Sequence, residues 1–508
     1  MTVNLLRRSV LKTAGAAAFL AGVPAWAFAS DKIPEKWDET VDVAVVGSGF
    51  AGLAAAYEAK KAGSEVAVFE KMRTAGGNSI INGGIFAVPG SPEQIALGIK
   101  DSPELMAADM IRAGDGLNHP EKVKTLCEQA LPTYWWTVKE LGVEYQKKNM
   151  KQEGGHSVPR SLFTINGSGS EIVKKELAAL EKLGVKPRLR TFVEELIVNG
   201  EGRVVGLTIR EGYRFPDRNS GRVKHVAAKR GVVLAYGGFA ADPEFRRIYD
   251  PKLTPDLQST NQPGATGEAW RMAMDIGAHV IQADQIQILP QTSPDEKGFG
   301  IGFAWSGHVS MFGVWVENAT GKRFVNELAN RKVRSLAIFS ELQKGRECLA
   351  IGDAGTAEMF AEIRPGMLKR ELERGCVFEY KTLEDLAKAH KVPLEGLKAT
   401  IEQMNEAVKT KKDPVGRPVN AKARPLGTGP WYVARMSPKV HHCMGGLYTN
   451  EKAQVFHVKG HLIPGLYAAG EATGGVHGAV RLGSCGTADS LIYGRIAGQQ
   501  AAAEKSWM

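Results

Sequence analysis

One stretch limits the possible folds of this chain more than any other. Val41-Asp42-Val43-Ala44-Val45-Val46 has the apolar character of a buried strand and runs directly into Gly47-Ser48-Gly49-Phe50-Ala51-Gly52. Leu53 to Ala62 is rich in alanine and reads as a helix ended by Gly63. Glu65-Val66-Ala67-Val68-Phe69 reads as a second strand, closed by Glu70. Strand, spaced glycines, helix, strand and acid together form a dinucleotide-binding fingerprint in its required context. Gly47 permits the tight turn, Gly49 lets backbone approach a pyrophosphate at the helix N-terminus, and Gly52 allows helix and strand to pack closely. Phe50 and Ala51 complete that loop. Glu70 lies 18 residues after Gly52, placed to accept from a ribose hydroxyl.

The chain has 58 glycines among 508 residues, and many fall in further loops of the same kind. Lys71 leads into Gly76-Gly77-Asn78-Ser79 and Gly83-Gly84. Gly231 to Ala235 reads as another strand and ends at Gly237-Gly238. Far downstream, Gly465-Leu466-Tyr467-Ala468-Ala469-Gly470-Glu471 follows an apolar segment, with Gly486 beyond it. Glycines at these points let backbone lie against a long, flat cofactor. The scattered set resembles the FAD-binding domain of two-dinucleotide-type flavoproteins, in which the distal Gly-Glu pair contacts the ribitol side. The expected cofactor is therefore FAD, non-covalent and one per chain, with no second GxGxxG unit for NAD(P)H.

Composition narrows the class further. Apolar residues at 43% and charged residues at 24% suit a globular chain, and the length allows two or three domains. The formal charge is +10, but no arginine-lysine block lies beyond the N-terminus, so nucleic acid is not an expected partner. Five cysteines occur at wide spacing (Cys127, Cys348, Cys376, Cys443 and Cys485). With no Cys-x-x-Cys and no Cys-x-x-Cys-His, neither a metal site nor a haem or iron–sulfur site is expected. Residues 1–30 resemble a twin-arginine export signal: Arg7-Arg8-Ser9-Val10-Leu11-Lys12, a short apolar stretch, and Ala27-Phe28-Ala29 as a cleavage pattern. Its removal leaves about +7 and implies a periplasmic protein, without a later stretch long enough to span a membrane.

Lys322-Arg323-Phe324-Val325-Asn326-Glu327-Leu328-Ala329-Asn330-Arg331, His441-His442-Cys443-Met444-Gly445-Gly446 and His477-Gly478-Ala479-Val480-Arg481-Leu482-Gly483, added to the fingerprint, resemble the fumarate reductase flavoprotein family. The closest likeness is to its soluble periplasmic flavocytochrome c and urocanate-reductase branch, without a haem domain, over nearly all of residues 38–505. The resemblance implies an α/β fold in which a Rossmann-like FAD-binding domain (38–283 and 429–508) carries an inserted α+β capping domain (284–428). It implies reduction of a carbon–carbon double bond beside a carboxylate, with hydride from flavin N5 and a proton from Arg331. His442 and Arg481 would clamp the carboxylate, and the planar guanidinium fork suits that role. A surface location is expected for Arg334.

The chain departs from the family pattern in the cap. Leu289 falls where the branch has a carboxylate-binding histidine. A threonine-glutamate pair is replaced by Ser306-Gly307, and the relay arginine by Ser310. Leucine cannot compensate a buried second carboxylate. With Leu289 and Ser306 lining the substrate, a 2-enoate with an apolar tail is expected, of acrylate, methacrylate or cinnamate type. Phe299, Phe303, Trp305, Met311 and Phe312 lie nearby in sequence, and His308 or Glu327 is left to serve Arg331 as relay. Fumarate or urocanate reduction, a dehydrogenase running in the oxidative direction (ketosteroid- or acid-dehydrogenase-like), and a non-catalytic flavin electron carrier remain alternatives. Electrons would come from an external c-type cytochrome or a quinol-linked membrane partner in anaerobic respiration.

Overall fold

The computed structural model describes residues 33–508; the expected export signal lies outside them. The strand Glu39–Val46 runs parallel between Val66–Phe69 and the long strand Arg222–Leu234, and Leu462–Ala468 continues the parallel set beyond that strand. Gln454–Phe456 adds an antiparallel edge, and Thr191–Val198 and Val204–Glu211 extend the first half of the long strand as an antiparallel ribbon. The parallel strands are buried on both faces, which explains their unbroken apolar sequences.

The helix Phe50–Lys61 follows the glycine turn and packs against the C-terminal helix Cys485–Ala503. Alanines on the first helix and Gly494 and Gly498 on the second bring the two backbones into contact. A Cβ on Gly498 would lie 2.2 Å from the Ala55 carbonyl oxygen. Packing this close fixes the N-terminus of the first helix at the sheet edge.

The second body is an antiparallel sheet ordered Val314–Glu317, Cys348–Gly352, Trp431–Met436, Phe378–Tyr380. Alternation sorts its side chains: Val314, Leu349, Ile351 and Val433 meet the helices Leu383–Ala389 and Leu394–Thr410. Trp315, Ala350 and Ala434 meet Trp305 and Phe360 on the other face. The strand Trp431–Met436 belongs to this sheet, so the expected return to the first body at residue 429 falls one strand too early. The crossing is instead a two-stranded ribbon, Ile286–Leu289 against Lys439–Cys443, with Gln287 opposite His442 and Leu289 opposite Lys439. Among the described residues no helix is long and apolar enough to cross a membrane.

Gly52 couples the fingerprint to the sheet. An added Cβ would sit 2.0 Å from the Gly47 carbonyl oxygen, a backbone atom that cannot move aside alone. Gly52→Ala is expected to cost about 3 kcal/mol. Thermal unfolding and the flavin absorbance of the purified protein check it: a lowered midpoint with reduced flavin is expected, and an unchanged midpoint with full flavin would contradict it.

Candidate active site

Two cavities meet along the sheet edge. One is lined by Gly47, Ser48, Gly49, Ala51, Glu70, Lys71, Gly77 and Gly237, the other by Gly83, Leu289, Arg331, His442, Arg481 and Gly486. Phe50, Asn78, Ser79 and Glu471 line both. The first runs along the fingerprint, the second reaches beneath the inserted body. The expected cofactor residues Gly52, Gly76, Gly84, Gly238 and Gly470 are absent from both walls. Gly238, for instance, gives room to the Glu471 carboxylate, whose Oε1 would lie 2.5 Å from an added Cβ.

The first cavity is shaped before any ligand arrives. Gly47 adopts a positive φ of 104°, and a Cβ there would meet the Ala235 carbonyl oxygen at 2.4 Å. Ser48 Oγ donates to Glu70 Oε2 at 2.6 Å and accepts from the Gly76 N–H at 3.1 Å, tying the two glycine loops together. The Phe50 N–H donates to Ser79 Oγ at 3.0 Å, and Asn78 bridges to Asn261 and Gln262. Lys71 is held by Thr266 and Glu268. Glycine backbone at a helix N-terminus, with an acid at the next strand end, fits a dinucleotide such as FAD. The second cavity leaves room beside it for a smaller molecule.

The second cavity is cationic. His442 comes from the ribbon strand, and its Nδ1 lies 3.3 Å from Glu471 Oε2, while Glu471 Oε1 accepts from the Cys443 N–H at 2.9 Å. Among the described residues His442 Nε2 is buried without a partner. Burial lowers the His442 pKa to about 4 despite Glu471, so the ring is neutral at pH 7. The Arg481 Nε also lacks a partner, and burial, followed by the nearby charge of Arg331, lowers its pKa to about 9.

Arg331 is the first residue of the helix Arg331–Gln343, capped by Asn330, whose Oδ1 accepts from the Val333 N–H. Its Nη1 donates to Gln287 Oε1 at 3.2 Å, its Nε has no partner among the described residues, and Glu153 Oε2 stands 4.0 Å from Nη2. Burial lowers its pKa. A cation at a helix N-terminus also opposes the helix dipole, which eases loss of its proton.

Several expectations are corrected. Ser306 is buried in the helix Phe303–Phe312 and is absent from the cavity wall. Arg334 is not a surface residue: only 2% exposed, it lies 5.5 Å from the Trp315 ring and donates to the Glu327 carbonyl. Neither proposed relay reaches Arg331. His308 bonds the Thr356 carbonyl, and Glu327 is paired with Arg323 in a buried cluster with Asp413 and Arg417. Of the apolar residues noted in sequence, Phe299 and Phe303 stack at 4.2 Å on the wall, whereas Trp305, Met311 and Phe312 are core. Lys151, Glu153, Arg364 and His441 line the cavity without having been assigned a role from sequence. Only His441 carried a signal, as the first half of the His-His pair.

A dinucleotide cleft continuous with a cationic pocket beneath an inserted second body defines a two-domain flavoprotein oxidoreductase. Residues 42–487 match the family described as FAD binding domain. The acrylate reductase flavoprotein subunit of Shewanella woodyi is 39% identical over 496 residues, 97% of each chain. The urocanate reductase of Eggerthella lenta is 35% identical over 472 residues, covering 92% of this chain and 76% of that protein. The solved open conformation of a flavocytochrome c3 fumarate reductase superposes with a TM-score of 0.71 at 32% identity, over 92% of this chain and 79% of that one. The chain belongs to the fumarate reductase/succinate dehydrogenase flavoprotein family and is an FAD-dependent oxidoreductase acting on CH–CH groups.

With Nδ1–H directed at Glu471, His442 can donate from Nε2 to a bound carboxylate only as imidazolium. Its pKa in the free protein is about 4, so carboxylate binding near neutral pH takes up a proton, and affinity falls as pH rises from about 4 to the pKa of the complex. Calorimetry of propionate binding at pH 6, in buffers of different ionisation enthalpy, is expected to show uptake near one proton, lost in His442→Ala. No uptake by the unmutated protein would contradict the assignment.

Proposed function

We propose that this protein reduces the carbon–carbon double bond of a small α,β-unsaturated monocarboxylate with an apolar remainder, acrylate and methacrylate being the best candidates. The observation that carries the reading is the convergence of Arg331, Arg481 and the partnerless His442 Nε2 on one buried cavity. These groups are unsatisfied until an anion arrives. The 39% identity to an acrylate reductase subunit supports the same substrate class.

Arg481 and protonated His442 hold the substrate carboxylate and stabilise the negative charge that grows toward it in the transition state. One FAD, bound non-covalently along the fingerprint, supplies the hydride when reduced. Arg331, from the opposite side of the domain junction, gives the proton to the carbon next to the carboxylate. Leu289, Phe299 and Phe303 offer the rest of the substrate an apolar wall and keep water away. Lys151 is also on the wall, but its ammonium lies 2.8 Å from Glu153 Oε1, so a second carboxylate would have to displace an existing ion pair. That disfavours fumarate. Electrons enter from an external c-type cytochrome or quinol-linked partner after twin-arginine export to the periplasm.

A substrate panel with reduced viologen as donor tests the reading. Acrylate or methacrylate is expected to turn over faster than fumarate or urocanate, and the reverse order would overturn the substrate assignment. Arg331→Ala is expected to lose a hundredfold or more in kcat with FAD still bound, on the scale of about 10²–10⁴ for a positioned acid. Near-unchanged turnover would remove Arg331 as the donor.

A further inference from the structure

We propose that Glu153 and Lys151 form the path by which Arg331 regains its proton, with Lys151 standing beside Gly307. This rests on the enoate-reductase reading and adds two residues to it. An arginine that has protonated a substrate carbon is a neutral guanidine. Arg331 is only 7% exposed, so bulk water does not serve it freely.

The neighbours of Arg331 narrow the source. Gln287, bonded to Nη1, has an amide that does not titrate. Glu153, 4.0 Å from Nη2, is a carboxylate, and its other oxygen is 2.8 Å from Lys151 Nζ. The path ends at its most exposed member, since the Lys151 side chain is 15% exposed against 9% for Arg331 and 7% for Glu153. The 4.0 Å gap is closed by a shift of about 1 Å or by one bridging water, as catalytic contacts often tighten only with substrate bound.

Two glycines make the arrangement possible. A Cβ at Gly307 would lie 3.5 Å from Lys151 Nζ, so the ammonium stands where a longer side chain at 307 would project. At Gly483 a Cβ would come within 2.4 Å of Glu153 Cγ, so Glu153 keeps its place only because residue 483 has no side chain. Other polar groups are engaged elsewhere: Ser310 Oγ donates to the Gly307 carbonyl, and His308 to that of Thr356.

The steps balance. The Arg331 guanidinium gives one proton to the substrate carbon, with reduced FAD as the two-electron reductant. Glu153, protonated in passing by the Lys151 ammonium, hands that proton to Arg331, and the Lys151 amine takes one from solvent. Charges facing the pair come from Arg331 and Arg334 on the cap helix, from Arg364 and from Arg481, while burial lowers the His156 pKa to about 4 and leaves that ring neutral. The Lys151 ammonium first, then Arg331 and Arg334, hold Glu153 ionised at rest against its burial, while burial lowers the Lys151 pKa and eases its proton loss.

The test uses the holoenzyme and the variants Glu153→Gln, Glu153→Asp and Lys151→Met. For Glu153→Gln, kcat for acrylate is expected to fall about a hundredfold. KM, the Kd for propionate read from the flavin spectrum and FAD content should stay unchanged, while the thermal midpoint falls because Lys151 loses its counter-ion. Glu153→Asp should recover at least tenfold of the loss, and Lys151→Met should lower kcat and abolish the alkaline limb of its pH profile. Glu153→Gln within threefold of the parent kcat, with FAD fully bound, overturns the path. A raised KM with unchanged kcat in Lys151→Met also overturns it, making Lys151 a substrate anchor. A parent enzyme that reduces no enoate removes the functional reading itself, and the path with it.

Discussion

Burial of positive charge without a matching anion is the constraint on which this structure turns. Arg331 and Arg481 face one cavity with nitrogen atoms that none of the described residues satisfies, and His442 Nε2 joins them. Isolating such groups from water is costly unless something compensates. The chain compensates in part: Glu471 orients His442 and Glu153 stands near Arg331. In the proposed function, the remaining deficit is what selects an anion. It also explains why burial is the leading cause of the lowered pKa at both arginines.

The fold gives each of those groups a separate origin. The parallel sheet and its glycine turn supply the dinucleotide cleft, with Glu471 at its junction with the second cavity. The inserted body supplies Arg331 from a helix N-terminus, and the two-stranded ribbon between the bodies supplies Gln287, Leu289 and His442. A third small sheet, Ile85–Ala87 with Ser161–Thr164 and Tyr145–Lys151, brings Lys151 and leads on to Glu153. The residues lining the second cavity therefore come from both sides of a junction, where ligand sites are commonly built. Under the proposed mechanism, hydride and proton would approach one substrate from different directions.

Much of this was legible in the sequence, and the reason differs by element. The fingerprint could be read because strand, turn, helix and acid are contiguous and each has its own local signature. Arg331, His442 and Arg481, each picked out by a long motif, line one cavity, and their roles belong to the proposal. The cap boundary implied by the resemblance, at residue 429, precedes Trp431–Met436, which completes a sheet whose partners lie tens of residues earlier, a pairing that no local pattern announces. Arg334 was misjudged because its burial depends on Trp315 and the Glu327 carbonyl, contacts no local pattern announces. Lys151 and Glu153 were missed for a related reason. Their stretch carries no motif, and their place in the cavity follows from missing side chains at Gly307 and Gly483, far away in sequence.

The most direct test of the central claim is a crystal structure of the oxidised holoenzyme with a saturated short carboxylate such as propionate. The expected result places FAD along the Gly47–Glu70 loop, with the carboxylate between His442 Nε2 and Arg481 and the Arg331 guanidinium over the adjoining carbon. A carboxylate seated instead against Lys151 and Arg364, with His442 and Arg481 left unpaired, would contradict it.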